Sequence, residues 1–362
     1  MAAGKARCAA VADETGGNAQ RPAPESGASA ETDKYKKLGL VLSGGGARGA
    51  YQIGVWKAMR EAGLDRRVCA VAGTSIGALN AALFLQGDLP RAEQAWLSVQ
   101  PHQALTWDPK RTLRQLLERF YAAPRGWLHE LSRVGLFSRS GLNELIDQFL
   151  DLEAVSKSPV AAWVACRRLN PAFVPSSPWD FAAAGPVKYF RLNYEPPERI
   201  RSYLLASSAI PFVFGAEMID GFEYVDGGIG FPAEKTPVKP VYDYGCDLIL
   251  VVYTEQTQKI NAGRFPNARI VEISPGRFLG GARGTFDFAQ ESIRQRMALG
   301  YADAKPVVEA LLPLLEPETA AHPPKAAPRG ALRRLGALLR NGRDRVRARR
   351  APKAPRSKRE TS

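Results

Sequence analysis

Two short apolar runs, each breaking into a glycine-rich turn and then into a helical pattern, follow one another early in the sequence. Leu38-Gly39-Leu40-Val41-Leu42 reads as a buried strand and runs straight into Ser43-Gly44-Gly45-Gly46. A helix is expected from near Arg48, with Tyr51, Val55, Met59 and Ala62 recurring at helical spacing. Val68 to Val71 is a second strand, entering the sharp turn Gly73-Thr74-Ser75-Ile76-Gly77, after which Ile76, Leu79 and Leu83 mark the buried side of another helix. Strands alternating with helices in this way call for an α/β fold with a largely parallel sheet.

Further along, Leu113, Leu116, Leu117, Phe120 and Tyr121 fit an amphipathic helix, as do Leu142, Leu145, Ile146, Phe149 and Leu150, with a Trp-, Pro- and Arg-containing stretch between them that is placed to cover a site. Val160 to Ala165, Val187 to Leu192, Leu248 to Val252 and Ala268 to Ile273 read as strands. Met218 to Val225 reads as a hairpin around Asp220-Gly221. Phe286, Ala289, Ile293 and Met297 predict a long final helix, ended or kinked near Pro306. No internal repeat is visible.

The ends differ from the middle. Residues 1–37 are rich in Ala, Gly, Pro, Ser and Glu without apolar periodicity, and are expected to be disordered. Residues 317–362 carry 14 Lys/Arg against three acids, a balance of +11 out of +14 for the whole chain, so only +3 belongs to residues 1–316. The domain is therefore placed at 38–316, followed by a basic tail at 317–362 in which Leu332, Leu335, Leu338 and Leu339 are interleaved with Arg333, Arg334 and Arg340. Such a tail suits peripheral contact with anionic membrane better than specific nucleic-acid binding. No apolar run of 18 residues exists, and the N-terminus lacks the apolar core of a Sec-type signal. Cys8, Cys69, Cys166 and Cys246 are widely spaced with no CxxC pair, which favours neither structural zinc nor a disulfide framework and fits a cytoplasmic location.

Three segments carry chemistry. Gly73-Thr74-Ser75-Ile76-Gly77 matches G-x-S-x-G, in which a serine projects from a tight strand-to-helix turn. Gly44-Gly45-Gly46-Ala47-Arg48-Gly49, one strand earlier, offers consecutive backbone N–H groups and a helix N-terminus to an anion, as an oxyanion hole requires. Arg48 has three readings here: support for the loop, contact with lipid phosphate, or a solvated place in the first helical turn. The same glycines satisfy G-x-G-x-x-G, so a dinucleotide-binding Rossmann domain is the rival. That fingerprint wants an acid at the end of the second strand, about 20 residues on, where this chain has Gly73-Thr74-Ser75 instead. Histidine is scarce: His102 and His129 follow no strand-like run, and His322 sits in the tail. Asp226-Gly227-Gly228 follows the strand Phe222 to Val225 and brings a carboxylate into a glycine-rich turn. An exposed Asp titrates near 3.9, so a base at neutral pH would need burial to raise it.

Taken in order, the Gly44–Gly49 block, the Gly73–Gly77 block and Asp226-Gly227-Gly228 resemble the three blocks of the patatin-like phospholipase family, with Ala206 to Phe212 resembling a further block before the aspartate. The resemblance spans residues 38 to 310; Ser43 stands where some members have Asp. It implies a three-layer α/β/α fold and a Ser-Asp dyad, with Ser75 as nucleophile and Asp226 as proton acceptor. Amides of Gly44, Gly45 and Gly46 become the oxyanion hole, and Arg48, Gly49, Gly73, Gly77, Gly227 and Gly228 are support positions. It also implies hydrolysis of phospholipid or related acyl esters with neither metal nor cofactor. A catalytically inert, lipid-binding protein of the same fold is the other alternative.

Overall fold

The computed structural model describes residues 35–99, 106–107, 137–170, 185–211, 213–230 and 232–315. The expected disorder of residues 1–37 and the basic tail at 317–362 fall almost wholly outside these residues, as do the Leu113–Tyr121 helix, the stretch expected to cover the site, and all three histidines.

Eight strands form one mixed sheet: β1 (Leu38–Leu42), β2 (Val68–Thr74), β3 (Ala161–Arg168), β4 (Val187–Arg191), β5 (Glu217–Ile219), β6 (Phe222–Asp226), β7 (Leu248–Val252) and β8 (Arg269–Ile273). Their order is β8-β7-β1-β2-β3-β6-β5, with β4 also on β3. The first five are mutually parallel, and β4, β6 and β5 join antiparallel. The expected largely parallel sheet is therefore present, with an antiparallel flank. A two-residue ladder pairs Thr106–Trp107 with Phe137–Ser138.

Both faces of the sheet are covered, which is why β1 and β7 are apolar at every position. On one face Leu38, Leu40, Leu42, Leu248, Leu250 and Val252 pack into a core shared with most of the helices: α1 (Ala50–Glu61), α2 (Ile76–Gln86), α3 (Leu89–Ser98), α4 (Ser140–Phe149), α5 (Leu152–Lys157), α6 (Pro197–Ser207) and the long α9 (Gln290–Leu311). On the other, Val41, Ala70, Ala72, Ile249 and Val251 meet Val238 and Val241 of the short α7 (Val238–Asp243), with Tyr253 and Phe265. The three layers are real but unequal.

The expected hairpin at Asp220-Gly221 forms, with both residues at positive φ (51° and 79°), as a type I′ turn requires. The final helix departs from expectation. Phe286 closes a separate helix, α8 (Gly281–Phe286), and Ala289 precedes α9, which starts at Gln290 and continues through Pro306 to Leu311. Burial of Ile293, Ala304, Val308 and Leu311 on either side of the proline holds the helix together across the missing N–H.

Candidate active site

Ser75 ends β2 at φ 57°, ψ −128°, a conformation costly for a side-chain-bearing residue. The turn closes because Gly73 and Gly77 lack side chains: a Cβ on Gly73 would collide with the Gly77 carbonyl, and one on Gly77 with the Leu42 carbonyl. The Ser75 amide is fixed by donating to Ser207 Oγ at 2.9 Å, and Ser207 Oγ in turn donates to the Ala165 carbonyl at 2.8 Å. The serine is thus held from β3 and α6 as well as from its own strand.

Sheet register explains how Asp226, so distant in sequence, comes beside it. β4 and β2 share Trp163, Val164 and Ala165 of β3 and so lie on opposite edges of that strand. β4 and β6 share Cys166 and Arg167, so β6 occupies the same edge as β2. β2 leaves that edge after Thr74, paired with Ala165, and β6 takes it over with Asp226 paired with Cys166. The elbow and the carboxylate therefore sit at adjacent positions along one strand. The Ser75 hydroxyl faces the Asp226 carboxylate closely enough for a side-chain hydrogen bond between them.

Asp226 is 3% exposed. Burial drives its pKa from 3.8 up to about 6, against the hydrogen bonds from Ser75 and the Gly228 amide and the charge of Lys235. The Gly228 amide reaches Asp226 Oδ1 at 2.7 Å, and the Asp226 amide is tied to the Ala209 carbonyl at 3.0 Å. A raised carboxyl pKa is what a base working near neutrality needs.

The glycine loop is braced from behind. Thr254 Oγ1 donates to the Gly44 carbonyl at 2.6 Å, and the Thr254 amide donates to Ser43 Oγ at 3.0 Å. Gln52 Nε2 holds the Ser43 carbonyl at 2.8 Å; Asn80 Nδ2 holds both the Gly49 carbonyl (3.0 Å) and Gln52 Oε1 (2.8 Å); Trp96 Nε1 donates to Asn80 Oδ1 at 2.9 Å. Arg48 is buried, donates from Nε to the Gly45 carbonyl at 3.1 Å and pairs with Glu255 at 2.9 Å. These contacts make Arg48 a support for the loop, and its burial sets aside the solvated reading.

One sequence-derived position needs correcting. The Gly44 amide donates to the Lys235 carbonyl at 2.9 Å, so Gly44 has no N–H to offer an oxyanion; the segment that brings Lys235 also caps Thr74 Oγ1 through the Glu234 carbonyl at 2.8 Å. Amides of Gly45, Gly46 and Ile76, the last at the start of α2, have no acceptor among the described residues. Gly46 sits at φ 58° against the Thr285 backbone. Gly46→Ala is thus strained by both conformation and contact, and a lower Tm than the wild type is expected in a thermal melt. The supporting Ser207, Gln52, Asn80, Trp96, Thr254 and Lys235 were not singled out from sequence for these roles. A single polar residue inside the apolar helical runs around Gln52 and Asn80 was the available signal, since a buried amide must find partners.

Ser75 opens onto a cavity of about 150 Å³ lined almost wholly by apolar side chains. Ile76, Leu79 and Leu83 from α2 (i, i+3, i+7) face Leu142, Leu145, Ile146 and Phe149 from α4 (i, i+3, i+4, i+7) across it, each set along one helical face. Among the described residues, no group of three or more His, Cys, Asp or Glu is placed to hold a metal ion.

The α/β sheet thus brings together a serine at its strand-to-helix elbow, a buried carboxylate near that serine and a glycine loop with open amides. The chain belongs to the patatin-like phospholipase family, whose model matches residues 40–236. That match displaces the dinucleotide-binding alternative. Among curated proteins, it is similar to lysophospholipase NTE1 of Chaetomium globosum (38% identity over 118 residues, 32% of this chain) and to the neuropathy target esterase sws of Drosophila melanogaster (42% over 86 residues, 23% of this chain). The matched regions cover only 7% and 5% of those proteins. Among solved structures, the type III effector ExoU (18% identity, TM-score 0.41, 77% of this chain and 54% of that one) and human GIVD cytosolic phospholipase A2 bound to methyl gamma-linolenyl fluorophosphonate (13%, 0.38, 78% and 58%) are similar at a level that carries no argument about the site.

Proposed function

We propose that this chain is a serine lipid acyl hydrolase of phospholipase A or lysophospholipase type. The observation that carries the reading is the Ser75–Asp226 pair, its acid raised to about 6, with Ser75 lining an apolar cavity. Asp226 accepts the Ser75 proton as the hydroxyl oxygen attacks the ester carbonyl. The oxyanion rests on the amides of Gly45 and Gly46 and of Ile76, and collapse expels the lysolipid or alcohol, whose oxygen takes the proton from Asp226, leaving acyl-Ser75 and an ionised aspartate. Water then attacks the acyl-serine, giving its proton to the same aspartate, which returns it to the Ser75 oxygen as the bond to the acyl carbon breaks and the fatty acid departs. A fluorophosphonate probe is expected to label the protein at Ser75; an unlabelled wild type that still bound lipid would favour the inert, lipid-binding alternative.

The cavity is proposed to take the acyl chain. From Ser75 to Leu83 it follows α2 for ~12 Å. Filling its far end with Leu83→Trp is expected to lower kcat/KM for long-chain esters about tenfold or more relative to p-nitrophenyl butyrate, read as a shifted chain-length profile.

Among the described residues no helix is long and apolar enough to cross a membrane. The domain limits 38–316, a cytoplasmic location and attachment to the inner face of an anionic bilayer through residues 317–362 stand as proposals. Flotation with anionic liposomes is expected to lose the protein when 317–362 are removed.

A further inference from the structure

We propose that Cys69 and Cys246 form a reversible dithiol–disulfide site at the foot of the sheet, oxidised by a hydroperoxide. They stand 177 positions apart in sequence, yet their sulfurs are 3.7 Å apart. The contact is built by backbone features of three neighbouring strands. In the β1–β2 ladder Leu38 pairs with Val68 but Gly39 with Ala70, so Cys69 is an extra, unpaired residue that bulges from β2. Cys246 lies just before β7, on the opposite side of β1. Between them β1 carries Gly39, and a side chain there would drive into Val241 and crowd the Cys246 sulfur. Bulge and glycine together clear the space across which the thiols meet.

The two sulfurs are not equivalent. Cys69 is half-buried, and hydrogen bonding from the Cys246 thiol, with the charge of Lys37, holds it below the usual thiol range despite its burial and the opposing charge of Asp247. Cys246 is buried and pushed up, first by the same hydrogen bond and then by burial. Cys69 is thus the attacking thiol and Cys246 the resolving one. The Cys69 thiolate attacks one peroxide oxygen: an S–O bond forms, the O–O bond breaks, and the alkoxide leaves with a proton as alcohol, giving Cys69 sulfenic acid. The Cys246 sulfur then attacks Cys69 sulfur, the S–O bond breaks, and hydroxide leaves with the Cys246 proton as water. Two thiols and one hydroperoxide become one disulfide, one alcohol and one water. Cys166 is buried and pushed well up by desolvation, which leaves it outside this chemistry.

The disulfide would clip β2 to the approach to β7, either side of β1. This inference does not depend on the hydrolase reading.

The test uses the full chain carrying Cys8→Ser, treated with stoichiometric hydrogen peroxide, then alkylated in denaturant and mapped by mass spectrometry. Expected is loss of the mass of two hydrogen atoms, a linked pair of peptides bearing Cys69 and Cys246, reversal by dithiothreitol, and a higher Tm than the reduced form. Cys246→Ser should stop at a sulfenic acid trapped by dimedone at Cys69, and Cys69→Ser should leave Cys246 fully alkylatable; a circular-dichroism melt checks that both variants fold. Three alkylatable thiols after treatment of the parent (Cys69 and Cys246 still free beside Cys166), conversion of its Cys69 directly to sulfinic acid, or a disulfide only between molecules would each overturn the proposal.

Discussion

Ser75→Ala is expected to reduce kcat on a short p-nitrophenyl ester by about 10⁴–10⁶-fold while leaving the melting curve almost where it was. The rate loss follows from removing the only atom proposed to form the acyl bond; the residual turnover is what open amides and binding alone provide. The small stability change follows from backbone geometry. Alanine at φ 57° is strained much as serine is, and the bond to Ser207 runs through the amide of residue 75, which the substitution keeps. Loss of fluorophosphonate labelling in the same variant ties both readouts to one oxygen. Retention of most hydrolysis would end the nucleophile assignment.

Asp226→Asn is expected to separate activity from stability in opposite directions. The wild-type carboxylate must be ionised to accept a proton, so kcat/KM should fall about tenfold per pH unit below about 6, where Asp226 protonates. The asparagine variant should stay about 10³-fold or more below the wild type's high-pH plateau at every pH. Its folding balance is the reverse. A carboxyl whose pKa rises from 3.8 to about 6 on folding is favoured neutral, so the native state loses stability as pH climbs from about 4 through 6, by up to ~3 kcal/mol. The neutral amide carries no such cost and keeps an oxygen for the Gly228 N–H. The variant's Tm should exceed that of the wild type at pH 8 and converge with it near pH 3.5, as differential scanning calorimetry would record. A variant less stable at pH 8 would mean that the ionised acid is stabilised by its surroundings, against the burial described here.

What could be read from the sequence was whatever depends on neighbours along the chain. Strand β1 with its glycines, the elbow after β2, the Asp220-Gly221 turn and the apolar face of α4 each announce themselves within a dozen residues. Ser75 and Asp226, proposed as the reacting pair, were likewise picked out by the ordered blocks that carry the family resemblance. Long-range backbone traffic was not legible. The Gly44 amide looks available until the Lys235 carbonyl, 191 positions on, is laid against it. Three roles stay open for Arg48 until Glu255, just beyond β7, is laid against it. The helices α3, α5, α6 and α7 went unassigned because their short apolar patterns are indistinct from loop composition, and α9 overrode Pro306 because burial on both sides outweighs one lost hydrogen bond. The Cys69–Cys246 contact depends on a register irregularity that no spacing rule encodes.

The handover along β3, where one neighbour departs and an antiparallel one arrives, makes the reacting pair a gauge of alignment between two halves of the molecule. Ser75 travels with the parallel half and Asp226 with the antiparallel flank, and their common lodging against Ala165 and Cys166 helps keep them in touch. Mild denaturant that lets the flank loosen should therefore extinguish turnover before far-ultraviolet ellipticity declines, and the gap between the two transitions would measure how firmly the halves are joined.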